Sequence, residues 1–149
     1  MMPEKDFIIR QISVFIENRI ASLSEVARLL ADRNINLRGF SLSESRDFGT
    51  ARIIVADADA CCEALKAAGY HFIETDVLAV EVADRPGGMA DVLECVASEH
   101  INVEYAYAMI EKRGDSAVII LRVDNTGKAV MALRKRNIRL LAGGDIALI

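Results

Sequence analysis

The chain repeats itself at a fixed offset of 66 residues. Ile35-Asn36-Leu37 matches Ile101-Asn102-Val103 (101 − 35 = 66), and the same offset sets Val14 on Val80, Arg19 on Arg85, Val26 on Val92 and Ala31 on Ala97. Further along, Ala51-Arg52-Ile53-Ile54 falls on Ala117-Val118-Ile119-Ile120. A register that survives a helix, a loop and a strand pair means one structural unit used twice. A unit of half the 149 residues buries a limited share of its surface, so the two copies are expected to share an interface.

Each copy reads in the same order. Ile12, Val14 and Ile16 alternate with Gln11, Ser13 and Phe15, the period of a half-buried strand. Ser22-Leu23-Ser24-Glu25 has capping-box spacing, and Leu23, Val26, Leu29 and Leu30 follow as one helical stripe stopped near Asn34. Residues 35–45 read as a long strand, Asp47-Phe48-Gly49 as a turn, and Thr50–Ala56 as the returning strand. A helix capped by Asp57 or Asp59 then runs to about Ala68 and ends at Gly69. The second copy gives strand 77–83, helix 87–99, strand 101–111, turn 113–115, strand 116–123 and helix 126–136. The expected fold class is therefore α+β: two ferredoxin-like βαββαβ modules, residues 1–75 and 76–149, each an antiparallel sheet with both helices on one face. Without a Pro/Gly/Ser linker near Asp76, rigid packing is expected rather than a tether. Asp145–Ile149 resembles Asp76–Val80 and reads as a terminal strand, paired within its own copy or exchanged with another.

Composition narrows the function. Apolar residues are 52% of the chain and aromatics 5%, so the core is aliphatic. Eighteen basic and 22 acidic residues are interspersed, which leaves no phosphate-binding stripe and argues against nucleic acid as a partner. Arg134-Lys135-Arg136, the densest basic run, reads as the solvated face of a helix. No apolar run is long enough to cross a bilayer and no leader pattern opens the chain, so no membrane partner and a cytoplasmic location are expected. Cys61, Cys62 and Cys95 lack metal spacing and read as buried free thiols. His71 and His100 stand on different elements beside no nucleophile motif, so neither a metal nor a cofactor nor catalysis is expected. Gly143-Gly144-Asp145 has neither phosphate-loop nor dinucleotide spacing and reads as a turn. Tyr105 and Tyr107 stand where the first copy has Gly39 and Ser41; they line a pocket or an interface, or simply pack.

The chemistry concentrates between the first strand and first helix of the second copy, in Asp84-Arg85-Pro86-Gly87-Gly88-Met89. The glycines allow close backbone approach, Pro86 suits a helix entry, and the following helix start offers donors and a positive dipole end to a carboxylate. Asp84 suits an α-ammonium, so the loop has the parts a zwitterion needs. A Pro-Gly-Gly at such a junction is also ordinary turn chemistry.

Val80-Glu81-Val82-Ala83 followed by that loop, and twelve residues after Met89 by Ile101-Asn102-Val103, resembles the ACT domain, and the resemblance extends over both copies. It implies a free-standing, non-catalytic tandem ACT protein: an amino-acid sensor whose ligand is held at an interface between modules. A free amino acid, a second copy in a homodimer and a metabolic enzyme are its implied partners. Carried over residue by residue, the implied ligand contacts are Asp84, Arg85, Gly87, Gly88 and Met89, with Asn102 and Val103 opposite. By repeat they extend to Asn18, Arg19, Ile20, Asn36 and Leu37. Asn36 and Asn102 serve equally well to satisfy local backbone. The first-copy loop, Glu17-Asn18-Arg19-Ile20-Ala21-Ser22, has neither the proline nor the glycines, so its Cβ atoms fill space a ligand backbone needs. The second copy is accordingly the expected principal site. The alternative is a regulatory subunit that docks on an enzyme without a ligand of its own.

Overall fold

The computed structural model describes residues 2–148. They form two compact units, one from Arg10 to Thr75, the other from Asp76 onward and completed by the amino-terminal segment up to Ile9. The first unit carries β1 (Ile9–Glu17), α1 (Ser22–Asp32), β2 (Leu37–Glu44), β3 (Phe48–Val55) and α2 (Ala58–Ala67). β3 pairs antiparallel with β1 (Ile12 opposite Ile53, Glu17 opposite Phe48) and with β2 (Leu37 opposite Val55, Glu44 opposite Gly49). Strand alternation sends Ile12, Val14, Ile16, Ala51, Ile53 and Val55 to one face, where they pack on Val26 and Leu30 of α1 and Cys61, Ala64 and Leu65 of α2. Burying each large aliphatic side chain there contributes about 1.5–3 kcal/mol, the main term holding helices to sheet. The turn is tighter than expected: Ser45 N–H donates to Phe48 O at 2.8 Å, so Phe48 and Gly49 already belong to β3.

The second unit repeats the plan with β4 (His71–Ala83), α3 (Gly88–Ser98), β5 (Val103–Arg113), β6 (Ser116–Val123) and α4 (Thr126–Lys135). β6 is central, pairing with β4 from Leu78–Leu121 to Ala83–Ser116 and with β5 from Val103–Val123 to Arg113–Ser116. β4 runs unbroken through Thr75–Asp76. The four long helices end alike, on a left-handed residue: Asn34, Gly69, His100 and Asn137.

Two expectations are corrected. The terminal strand at 145–149 does not form; Gly143–Leu148 is a helix, α5, and Ile149 lies outside the described residues. The Asp145 carboxylate accepts the Ala142 N–H at 2.8 Å and Asp145 N–H bonds Ala142 O at 2.9 Å, which closes a helical turn where a plain Gly-Gly turn was expected. The place of a fourth strand is taken by Arg139–Leu141: Leu140 bridges Val80, Glu81 N–H donates to Arg139 O, and Leu141 N–H to Ala79 O. Arg134 is the second correction. Its guanidinium lies 5.0 Å over the Phe7 ring and donates to Met2 O at 2.9 Å, fastening the amino-terminal segment to α4, while Lys135 and Arg136 are exposed.

Candidate functional site

The two strand–helix loops share one hydrogen-bond skeleton. In the second module Arg85 N–H donates to Ala83 O (2.9 Å), Gly88 N–H to Arg85 O (3.0 Å) and Asp91 N–H to Gly87 O (3.0 Å). In the first, Arg19, Ser22 and Glu25 do the same to Glu17, Arg19 and Ala21, at 2.9, 3.4 and 2.9 Å. Gly87 holds φ +88° before α3, and Ala21 holds +73° before α1, although a Cβ-bearing residue is there at a cost of about 1–2 kcal/mol. Each arginine turns onto the first turn of its helix: Arg85 reaches Asp91 at 3.1 Å and the Pro86 carbonyl, Arg19 grips both oxygens of Glu25 at 2.9 and 3.2 Å. The Arg19 guanidinium, mainly through those hydrogen bonds, holds the Glu25 carboxyl below its ordinary value. No side chain caps either helix.

The loops differ in tightness, and glycine explains it. A Cβ on Gly88 would sit 2.0 Å from the Ala83 carbonyl oxygen, so the module's own backbone demands glycine there. Ser22 occupies the equivalent place in the first module (88 − 66 = 22) and carries a Cβ. The Ser22 N–H to Arg19 O bond accordingly lengthens from the 3.0 Å of its counterpart to 3.4 Å. Beside the first-module loop is a cleft of about 270 Å³, lined by Phe15, Ile16, Glu17, Arg19, Ser22, Glu25, Phe48, Gly69, Tyr70 and His71. The expected capping box is not formed. Ala21 is the N-cap, Glu25 is held by Arg19, and the Ser22 hydroxyl, in a residue 5% exposed, finds no hydrogen-bond partner among the described residues.

The other sequence-derived candidates are spread over both ends of each sheet. Asp84, Arg85 and Gly87 are exposed on their loop; Met89 packs against the second core. Asn18 donates to the Ser45 and Arg46 carbonyls at 3.4 Å, bracing the neighbouring turn, and Ile20 is 95% exposed. Asn102 exchanges two bonds with Asp124 at 3.1 Å, and Val103 packs on the second core. Asn36 shares a cleft of about 240 Å³ with Arg33, Asn34, Arg38 and Asp57; Leu37 packs on the first core. Register decides which of these meet within a module. β4 reaches its loop at the Ala83–Ser116 end of β6, whereas Val103 pairs at the Val123 end. Those ends are separated by the eight residues of Ser116–Val123, seven steps of about 3.4 Å or about 24 Å. Asp84–Met89 and Asn102–Val103 of one module therefore do not form one site. The first module separates Asn18–Ile20 from Asn36–Leu37 in the same way.

Sequence reasoning passed over Ser22, Phe48, Tyr70 and His71 as a group. The signal was present in the repeat, where a serine stands on a glycine that the fold requires. Burial raises all three cysteine thiols, Cys61 to about 12, and Cys95 Sγ lies 3.4 Å from Ala132 O, so Cys61 and Cys95 behave as core groups. Among the described residues no cluster of His, Cys, Asp or Glu is arranged to hold a metal, and no helix is long and apolar enough to cross a membrane.

A family model described as an ACT domain pair matches residues 7–149. The chain belongs to the ACT domain pair family. This ACT pair is 33% identical to protein BT0572 of Bacteroides thetaiotaomicron, with a TM-score of 0.90 over 96% of this chain and 98% of that one. It shares its fold with the regulatory subunit of aspartate kinase from Thermus thermophilus (ligand-free form) at 22% identity and a TM-score of 0.64, over 87% and 93% of the two chains. The corresponding subunit from Thermus flavus gives 20%, 0.60 and the same coverages. No curated protein matches the ACT pair.

Proposed function

We propose that this ACT pair is a non-catalytic regulatory protein that binds a free amino acid where ACT modules meet, with Asp84, Arg85, Gly87, Gly88 and Met89 as one wall. The observation that carries the reading is the second-module loop: an exposed acid and an exposed arginine directly before an eleven-residue helix whose first turn no side chain caps. Asp84 would take the ammonium and the start of α3 the carboxylate. Because register keeps Asn102–Val103 away from the loop of its own module, the facing wall would come from Asn36–Leu37 or Asn102–Val103 of another module, in this chain or in a homodimer partner. Occupancy would favour the assembly that completes the site.

A second reading is a subunit that docks on a metabolic enzyme. The fold-level likeness to a regulatory subunit of aspartate kinase favours it. A thermal-melt panel of the free amino acids at millimolar concentration separates the two. Binding to the folded state alone stabilises by about 2.7 kcal/mol at one hundred times Kd, which raises Tm by several degrees. If no amino acid moves the melt, the sensor reading fails.

A further inference from the structure

We propose that the cleft at the Leu37–Val55 end of the first module's sheet, the end away from its strand–helix loop, is a phosphate site, with Arg33 and Arg38 as its cations and Asn34 and Asn36 as supporting donors. The inference is independent of the amino-acid reading above. It concerns another ligand class held inside one module and, by engaging Asn36, leaves Asn102–Val103 as the facing wall of that reading.

The cleft, of about 240 Å³, lies where α1 ends, β2 begins and β3 leads into α2; Arg33, Asn34, Asn36, Arg38, Asp57 and Ala60 line it. Neither arginine has an ion-pair partner among the described residues. Asp32, beside Arg33 in the chain, reaches Arg28 at 4.0 Å instead. The Asp57 carboxylate accepts the Ala60 N–H at 3.0 Å and is committed to capping α2. The local balance is +1 (2 − 1), in a chain whose net charge is −4. Arg38 is half-buried. Its Nε is sealed from solvent with no hydrogen-bond partner among the described residues, while its two terminal nitrogens remain accessible in a residue that lines the cleft. A guanidinium held partly dry and unpaired is costly until an anion meets it.

The repeat shows that the fold itself does not ask for these cations. Arg33 falls on Glu99 (33 + 66) and Arg38 on Glu104 (38 + 66). Glu99 ends α3 as Arg33 ends α1, and Glu104 reaches Arg122 at 3.7 Å. The second module thus carries the opposite sign at the same two places and pairs one of them internally. Two guanidiniums suit a dianion with several oxygens, since each planar fork can donate two parallel bonds. A carboxylate brings one charge and two oxygens, enough for one fork. Pockets for drug-sized ligands span about 300–1,000 Å³, so this cleft suits a phosphoryl group on a small organic backbone better than a nucleotide.

The test uses the whole chain in phosphate-free buffer at fixed ionic strength. Inorganic phosphate, glycerol 3-phosphate and acetate are titrated in turn while backbone amide shifts are recorded. The expected result is saturable shifts at residues 33–38 and 56–60 for both phosphates at millimolar concentration, with acetate about tenfold weaker or more. Tighter binding of glycerol 3-phosphate marks a phosphate monoester as the ligand, and tighter binding of inorganic phosphate marks the free anion. Arg33→Glu and Arg38→Glu install the residues that the second module carries at these places. Each should weaken phosphate about tenfold or more, as loss of charge-assisted hydrogen bonds does, while the unliganded protein melts close to wild type. Should Arg38→Glu fail to fold, the exposed Arg33→Glu decides the matter alone. Phosphate shifts scattered over the surface, acetate binding as tightly as phosphate, or Arg33→Glu binding as wild type does would each overturn the inference. The amino-acid panel is scored separately, so either reading can fail while the other stands.

Discussion

Replacing Gly88 with alanine tests the account of the two loops most directly. The new Cβ would sit 2.0 Å from Ala83 O, whereas ordinary contact begins at 3.4 Å, so about 1.4 Å must be opened between a strand end and a helix start. Neither neighbour is a flexible side chain; the nearest atoms are the carbonyl oxygen and carbon of Ala83. Overpacking of this kind costs about 1–3 kcal/mol. Stretching the Gly88 N–H bond to Arg85 O forfeits part of about 1 kcal/mol more. Against that, alanine restricts the unfolded chain, a gain of about 0.4–1 kcal/mol. The net expectation is a loss of about 2 kcal/mol.

The chain has no Trp, so far-UV circular dichroism in urea is the convenient probe. With a slope of about 2 kcal/mol/M, the Gly88→Ala midpoint should fall by about 1 M at unchanged slope. A midpoint equal to or above wild type would refute the claim that the module's own carbonyl demands this glycine, and Gly88 would have to be explained by a ligand instead.

Two further outcomes follow from the cores. Phe7→Ala should cost about 3 kcal/mol, since Phe7 belongs to the second core and carries Arg134 over its ring, and calorimetry should show the loss in that module's transition. Cys61 sets an alkaline limit: its ordinary pKa of 9.0 is pushed up to about 12 by burial, so between those values an unfolded chain releases a proton that the folded chain keeps. Stability is then full below pH 9 and declines as pH rises toward 12; Cys61→Ala should flatten that part of the urea-midpoint profile.

Much of the fold was legible because local and global signals agree. Alternation at Ile12, Val14 and Ile16, the stripe at Val26 and Leu30, and the stops at Asn34 and Gly69 each report a single backbone state; β1 is nevertheless not the half-buried strand expected, because Gln11 and Ser13 on its other side are buried as well. The carboxyl end was misread because Ile146, buried by a helix, fits a strand pattern as well; the Asp145 bond to Ala142 N–H decides the matter and depends on a turn already formed. The capping box failed for a similar reason. Ser22 and Glu25 have the spacing, but Arg19, on the loop before them, competes for Glu25 and Ala21 takes the N-cap. Which candidate residues meet was hidden as well. Spacing along the chain carries no register, and register puts Asn102 at the far end of the sheet from Asp84.

The loops also show why a conspicuous motif and a usable cavity need not coincide. Both adopt the same skeleton, one with Pro86-Gly87-Gly88 and the other with Ile20-Ala21-Ser22, so the glycines are not what makes the bend. They relieve two local strains, a left-handed N-cap and the approach of a carbonyl, and relieving the second lets the helix close on the strand. Where serine stands in place of that glycine, the contact loosens, a hydroxyl is buried without a partner among the described residues, and a cleft lies beside it. Glycine at such a junction therefore reports tight packing of strand on helix. Substitution of the glycine is the stronger pointer to space. A duplicated fold makes this visible because the second copy supplies the unsubstituted reference in the same chain.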